Sequence, residues 1–143
     1  MKQQRMTIQK KMVYDAVSVL HCHPTAQQVY LCVKKEHPSI SKATVYRNLS
    51  ILAASGLLLK IEVPGGADRF DHQTKAHYHM RCERCGGIED IFMPYDQQLD
   101  QSASLHAGCT VSGHTILFRG ICPACEAETK AASPAGAKTP EKN

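Results

Sequence analysis

Apolar residues recur at helical spacing between Ile8 and Leu20, where Ile8, Met12, Val13, Ala16, Val17 and Leu20 share one face. Thr7 precedes them as a helix cap. His21-Cys22-His23-Pro24 ends that pattern, and Thr25 caps a second helix with Val29, Cys32 and Val33 along one side, closed by Pro38. Ser41 caps a third helix over Lys42 to Ser55, which Gly56 stops. Its buried stripe is Val45, Leu49 and Leu52. Thr44, Arg47 and Ser50 face away from the stripe, and Tyr46 lies at its edge. The apolar pattern then changes to a strand, a glycine turn and a second strand: Leu57–Val63, Pro64-Gly65-Gly66, Ala67–Asp71. Three short helices and a hairpin predict a winged helix-turn-helix, with the third helix as the DNA reader.

The second half has shorter elements. Strands are predicted at 77–81, 87–92 and 115–121. A helix is expected from Pro94 to about His106, with Tyr95, Leu99, Ala103 and His106 on one side. From Thr129 onward Ala, Ser, Pro, Gly, Lys and Glu dominate, which predicts a disordered tail over 129–143. The fold class is α+β. The domain reading is a winged-helix unit at 1–71, a zinc-stapled α/β unit at 72–128, and the tail.

Composition narrows the function classes. At 43% apolar and 21% charged residues, the 143-residue chain is a soluble globular protein. Its longest apolar stretch, Ile51–Leu59, is too short to span a bilayer, and no secretory signal opens it, so a cytoplasmic protein without a membrane partner is expected. The net charge of +4 conceals an asymmetry, because residues 1–63 sum to +6 and residues 64–143 to −2. A basic helical half suits a polyanion such as double-stranded DNA.

Seven cysteines make an odd number, in which two Cys-x-x-Cys pairs stand out: Cys82/Cys85 and Cys122/Cys125. Outside secreted proteins such pairs hold metal more often than they form disulfides. Four thiolates complete a tetrahedral zinc site with no open position, so the zinc is structural. Cys22, Cys32 and Cys109 are then left as free thiols. Among the other ligand-type residues, His23, Asp71, His77, His79 and Asp90 offer only nitrogen and oxygen. That set suits Fe(II), Mn(II) or Zn(II). One metal gathering all five would tie the helical half to the β half.

These residues carry a resemblance. His23-Pro-Thr-Ala26, Ala43-Thr-Val-Tyr-Arg-Asn-Leu49, Arg69-Phe-Asp71, His77-Tyr-His79 and the two cysteine pairs are similar to the ferric uptake regulator family over about residues 5–126. The resemblance implies a homodimer on operator DNA, with a hinge between a winged helix and a dimerisation domain. It implies structural zinc at the four cysteines and a regulatory Fe(II) or Mn(II) at His23, Asp71, His77, His79 and Asp90. It places Lys42, Thr44, Tyr46, Arg47 and Asn48 on the DNA-reading helix. Iron-uptake members usually carry Glu at the positions of Asp71 and Asp90, whereas peroxide-responsive repressors carry Asp, as here. A further metal site of many members is reduced to His114, since Ala76, Tyr78 and Gln97 stand at its other positions. The implied activity is repression relieved when peroxide oxidises a metal-bound histidine, with peroxide the one small molecule acted on. Each chain reacts once, so no enzyme is expected. Two alternatives stay open: an iron- or zinc-uptake regulator with the same ligands, and a zinc hydrolase or deaminase. The second lacks a His-x-Glu partner.

Overall fold

A computed structural model of the chain describes residues 5–21 and 23–132. The chain divides into two compact units, Met1–Ala76 and His77–Asn143. The first contains α1 (Ile8–Leu20), α2 (Ala26–Glu36), α3 (Lys42–Ala54), β1 (Leu59–Ile61) and β2 (Arg69–Asp71). Each helix starts where its cap predicts. Thr7 accepts from Lys10 N–H and Ser41 from Thr44 N–H. At α2 the capping is reciprocal: Gln28 N–H donates to Thr25 Oγ1, and Thr25 N–H to Gln28 Oε1. Val13, Val17, Val29, Val45, Leu49, Leu52, Leu58 and Phe70 form one buried hydrocarbon core across the helices and the hairpin. A Val or Leu side chain buried this fully contributes about 1.5–3 kcal/mol. Ile8 departs from its expected place on the buried face. It lies in the first turn, ahead of the core, and is 80% exposed.

The hairpin β1–β2 is antiparallel, with Lys60 opposite Phe70. It is shorter than the sequence suggests, because Leu57 and Leu58 donate their N–H groups back to the Leu52 carbonyl at the end of α3. Thr25 forms an isolated bridge with Arg69, which ties the entrance of α2 to β2.

The second unit holds β3 (Tyr78–Cys82), β4 (Ile88–Ile91), α4 (Gln97–Ala107), β5 (Leu117–Gly120) and α5 (Pro123–Ala132). Its sheet has the order β4-β3-β5, antiparallel between β3 and β4 and parallel between β3 and β5. Three expectations differ from the structure. The helix expected from Pro94 begins at Gln97, because Asp96 supplies the cap by accepting from Gln98 N–H. Its expected inward side is not buried: no residue of α4 is, and Leu105 is 83% exposed. Residues 129–132, expected in the tail, continue α5. The remainder of that tail, 133–143, lies outside the described residues, as does Cys22. Among the described residues no helix is long and apolar enough to cross a membrane.

Candidate metal centres

The sulfur cluster is built by two turns. At the end of β3, Cys82 and Cys85 enclose a tight turn closed by Gly86 N–H donating to Cys82 O, and Gly86 takes φ +75°, a left-handed conformation that suits glycine. The second pair straddles the start of α5, so Cys125 lies in that helix's first turn. Parallel pairing of β3 with β5 brings Cys82 opposite Gly120, two residues before Cys122. Ligand atoms of all four cysteines lie within 4.8 Å of one another. Thiolates about 2.3 Å from a central zinc at tetrahedral angles stand about 3.8 Å apart. The Cys85 and Cys122 sulfurs are 3.8 Å apart, so the cluster fits that ion.

Backbone amides point at the sulfurs. Cys85 N–H and Cys122 N–H donate to Cys82 Sγ, Gly87 N–H to Cys85 Sγ, and Cys125 N–H to Cys122 Sγ. The two donors on Cys82 hold its thiol down at about 6, whereas the hydrogen bond to Cys122 and burial push Cys125 up to about 12. One thiolate is therefore ready for metal, and binding displaces protons from the others. None of the described cysteines is in a disulfide. Sequence reasoning missed Arg84, which lies between Cys82 and Cys85. Its guanidinium donates to Cys125 O at 3.2 Å and to Thr129 Oγ1 at 2.7 Å, holding α5 onto the knuckle. The unpredicted α5 is the reason this partner was invisible.

The nitrogen and oxygen donors form two sets, one in each unit. In the first, His23 Nε2 stands 3.3 Å from Asp71 Oδ2, and both residues are buried. His23 has φ +53°, a strained setting for a non-glycine residue that costs about 1 kcal/mol or more. Its segment is clamped onto β2. Phe70 N–H donates to Pro24 O, Arg69 Nη1 donates to His23 O, and Thr25 bridges Arg69. The strand that carries Asp71 therefore also fixes His23.

In the second unit, the strand expected at 77–81 runs as β3 over Tyr78–Cys82, so His77 immediately precedes it and His79 follows two residues on, on the same side of the extended chain. Antiparallel register places Asp90 opposite His79. Both imidazoles converge on one carboxylate oxygen: His77 Nε2 is 2.7 Å and His79 Nε2 3.2 Å from Asp90 Oδ1. Phe92 stacks on His77 at 5.3 Å. Buried imidazole nitrogen and carboxylate oxygen without sulfur is the donor chemistry of Fe(II), Mn(II) or Zn(II).

On α3, Lys42, Tyr46 and Arg47 are exposed and Thr44 is half-buried at the first turn. Lys42 Nζ lies over the Tyr46 ring at 5.5 Å. Asn48 differs: it is buried, and its Nδ2 donates to Thr44 O.

Known proteins match this arrangement. The ferric uptake regulator family model matches residues 1–119. The peroxide operon regulator of Bacillus subtilis (strain 168) is 35% identical over 121 residues, covering 85% of this chain and 83% of that protein. The crystal structure of the Campylobacter jejuni peroxide stress regulator has a TM-score of 0.66 at 31% identity, covering 82% of this chain and 88% of that one. A zinc uptake regulator complexed with zinc and DNA has a TM-score of 0.72 at 21% identity, covering 92% and 89%, which shows a shared fold. This chain belongs to the ferric uptake regulator family, and within it to the branch of the peroxide-responsive repressors.

Proposed function

We propose that the chain is a cytoplasmic transcriptional repressor that binds operator DNA as a homodimer while Fe(II) or Mn(II) occupies His23, Asp71, His77, His79 and Asp90. Peroxide then releases it through iron-dependent oxidation of His23 or His77. The observation that supports this reading is the division of the donors. His23 and Asp71 sit in one unit, and His77, His79 and Asp90 in the other. A metal drawing on both sets would fix the winged helices of a dimer at one spacing. It can favour that state only by its preference for it, typically about 1–3 kcal/mol.

The residues divide the work. Cys82, Cys85, Cys122 and Cys125 hold the structural zinc. Lys42 and Thr44 meet phosphates, while Tyr46 and Arg47 reach base edges, for which arginine is the commonest guanine reader. Asn48 is not part of this set, because its amide is buried and already donating. Bound iron supplies the redox chemistry that turns peroxide into an oxidant of a neighbouring side chain. Peroxide gives one oxygen to the imidazole C2 and leaves as water, so the histidine gains one oxygen as 2-oxo-histidine. The oxidised ring is a poorer ligand, and the repressor lets go.

The test is operator binding by the zinc-loaded protein. Binding should require added Mn(II) or Fe(II) and vanish in His79→Ala. Arg47→Ala should weaken binding and relax sequence preference, whereas Lys42→Ala should lower the salt slope by about one. Equal binding in chelator with zinc retained would contradict the metal dependence.

A further inference from the structure

Helix α4 poses a packing problem. It buries no side chain, and Leu99 and Leu105 are exposed. What holds it to the sheet is a chain of polar groups. His114 Nδ1 is 2.7 Å from Asp100 Oδ1, and His114 Nε2 is 2.7 Å from the Tyr78 hydroxyl in β3. The Tyr95 hydroxyl donates to the other oxygen of Asp100. Asp96 N–H donates to the Tyr78 hydroxyl, and His114 N–H to that of Tyr95, both at 3.0 Å. The His114 ring stacks on Tyr95 at 4.4 Å and on Tyr78 at 5.6 Å.

One proton assignment satisfies every member. Nδ1–H of His114 donates to Asp100, Nε2 accepts from the Tyr78 O–H, and each tyrosine oxygen accepts one backbone N–H. A half-buried network completed in this way fixes positions, because displacing it breaks several hydrogen bonds together, including the one to the hydroxyl of the buried Tyr78. Tyr78 is the member that matters for the metal donors. It lies between His77 and His79 on β3 and is buried on the opposite face of the strand. Holding its hydroxyl sets the rotation and height of β3, and so the direction in which both histidines project toward Asp90.

We propose that Tyr78, His114 and Asp100 are positioning residues for the regulatory metal: their relay from α4 to β3 holds His77 and His79 in the geometry that ligates. This rests on the proposed function, and it adds residues outside the donor set. Outer partners that orient ligands typically alter metal affinity by about 10–100-fold.

The test uses the full zinc-loaded chain and Mn(II) alone as probe, with free Mn(II) read by electron paramagnetic resonance. His114→Phe keeps a ring for stacking and removes both hydrogen bonds. It should weaken Mn(II) binding by about 10–100-fold with one zinc per chain retained. His114→Gln, whose carboxamide can donate to Asp100 and accept from Tyr78, should stay near wild type. If His114→Phe loses its zinc and fold, Asp100→Asn carries the test with a smaller expected loss. Hydrogen exchange of the metal-free protein gives a second reading. Amides of β3 should exchange faster in His114→Phe than in His114→Gln. Wild-type Mn(II) affinity in a folded His114→Phe, or equal β3 exchange in the two variants, would overturn the positioning role. A wild-type chain that binds no Mn(II) would instead overturn the metal reading itself.

Discussion

The two units of this chain are held together by different chemistry. In the first, nine fully or nearly buried Val, Leu and Phe side chains meet in one hydrocarbon core, and the buried polar residues among those described are His23, Asp71 and Asn48. In the second, the buried cluster is made of Cys82, Cys122 and Cys125 with Met80 and Ile121 against it, and helix α4 buries no side chain fully but is tied by hydrogen bonds through Asp100. A segment this small buries too little apolar surface to fold on hydrophobicity. Metal–sulfur bonds and a closed polar network replace the missing core. The cost is dependence on zinc and on the protonation of a few side chains.

That contrast can be broken at several points. The largest effect is expected for Cys82→Ser or Cys122→Ser, since structural zinc supplies roughly 10 kcal/mol or more of folding free energy. Zinc analysis with hydrogen exchange should show metal lost and β3–β5 unprotected, while α1–α3 keep their protection. Retained protection in the second unit without zinc would refute its dependence on the metal. Leu52→Ala should do the reverse, costing about 2–5 kcal/mol in urea unfolding with zinc content unchanged. Asp100→Asn sharpens the comparison by pH. The Tyr95 hydroxyl and His114 hold the Asp100 carboxyl below its ordinary 3.8. Its contribution is therefore present above that value and lost as pH falls through the lower folded one. The stability gap between wild type and Asp100→Asn, measured at fixed free zinc, should narrow below pH ~4. A gap independent of pH would show that the carboxylate's charge plays no part. The smallest effect is expected for Thr25→Ala, at about 1 kcal/mol from the lost α2 cap, read by thermal unfolding.

Legibility in the sequence follows the same divide. Caps at Thr7, Thr25 and Ser41 and the apolar stripes of α1–α3 are local signals, and they marked those helices to within a residue. The cysteine pairs were legible because ligand spacing is itself local. Helix α5 was not, since its first turn is occupied by the ligand pair and the rest carries no apolar repeat. Pro94 drew the start of α4 forward, although Asp96 makes the cap. The resemblance placed Asn48 on the DNA-reading helix beside Arg47; its helical phase turns it inward, where Nδ2 donates to Thr44 O. Of the Tyr78–His114–Asp100 relay, the resemblance marked Tyr78 and His114 as positions of one further metal site, but neither their hydrogen bond nor Asp100 had a local signal. The relay's members are 36 and 14 residues apart and come from β3, the loop before β5 and α4.

The central claim is that iron held by donors from both units makes a histidine the peroxide sensor. Mass spectrometry of iron-loaded protein after a brief peroxide pulse tests it most directly. One added oxygen should appear on the peptide carrying His23 or His77, and should be absent with Mn(II) in place of iron. Asp90→Glu, whose longer carboxylate can close a second coordination position, should lower that yield at equal iron loading. Unmodified His23 and His77 peptides from a protein that still binds iron and DNA would contradict the claim.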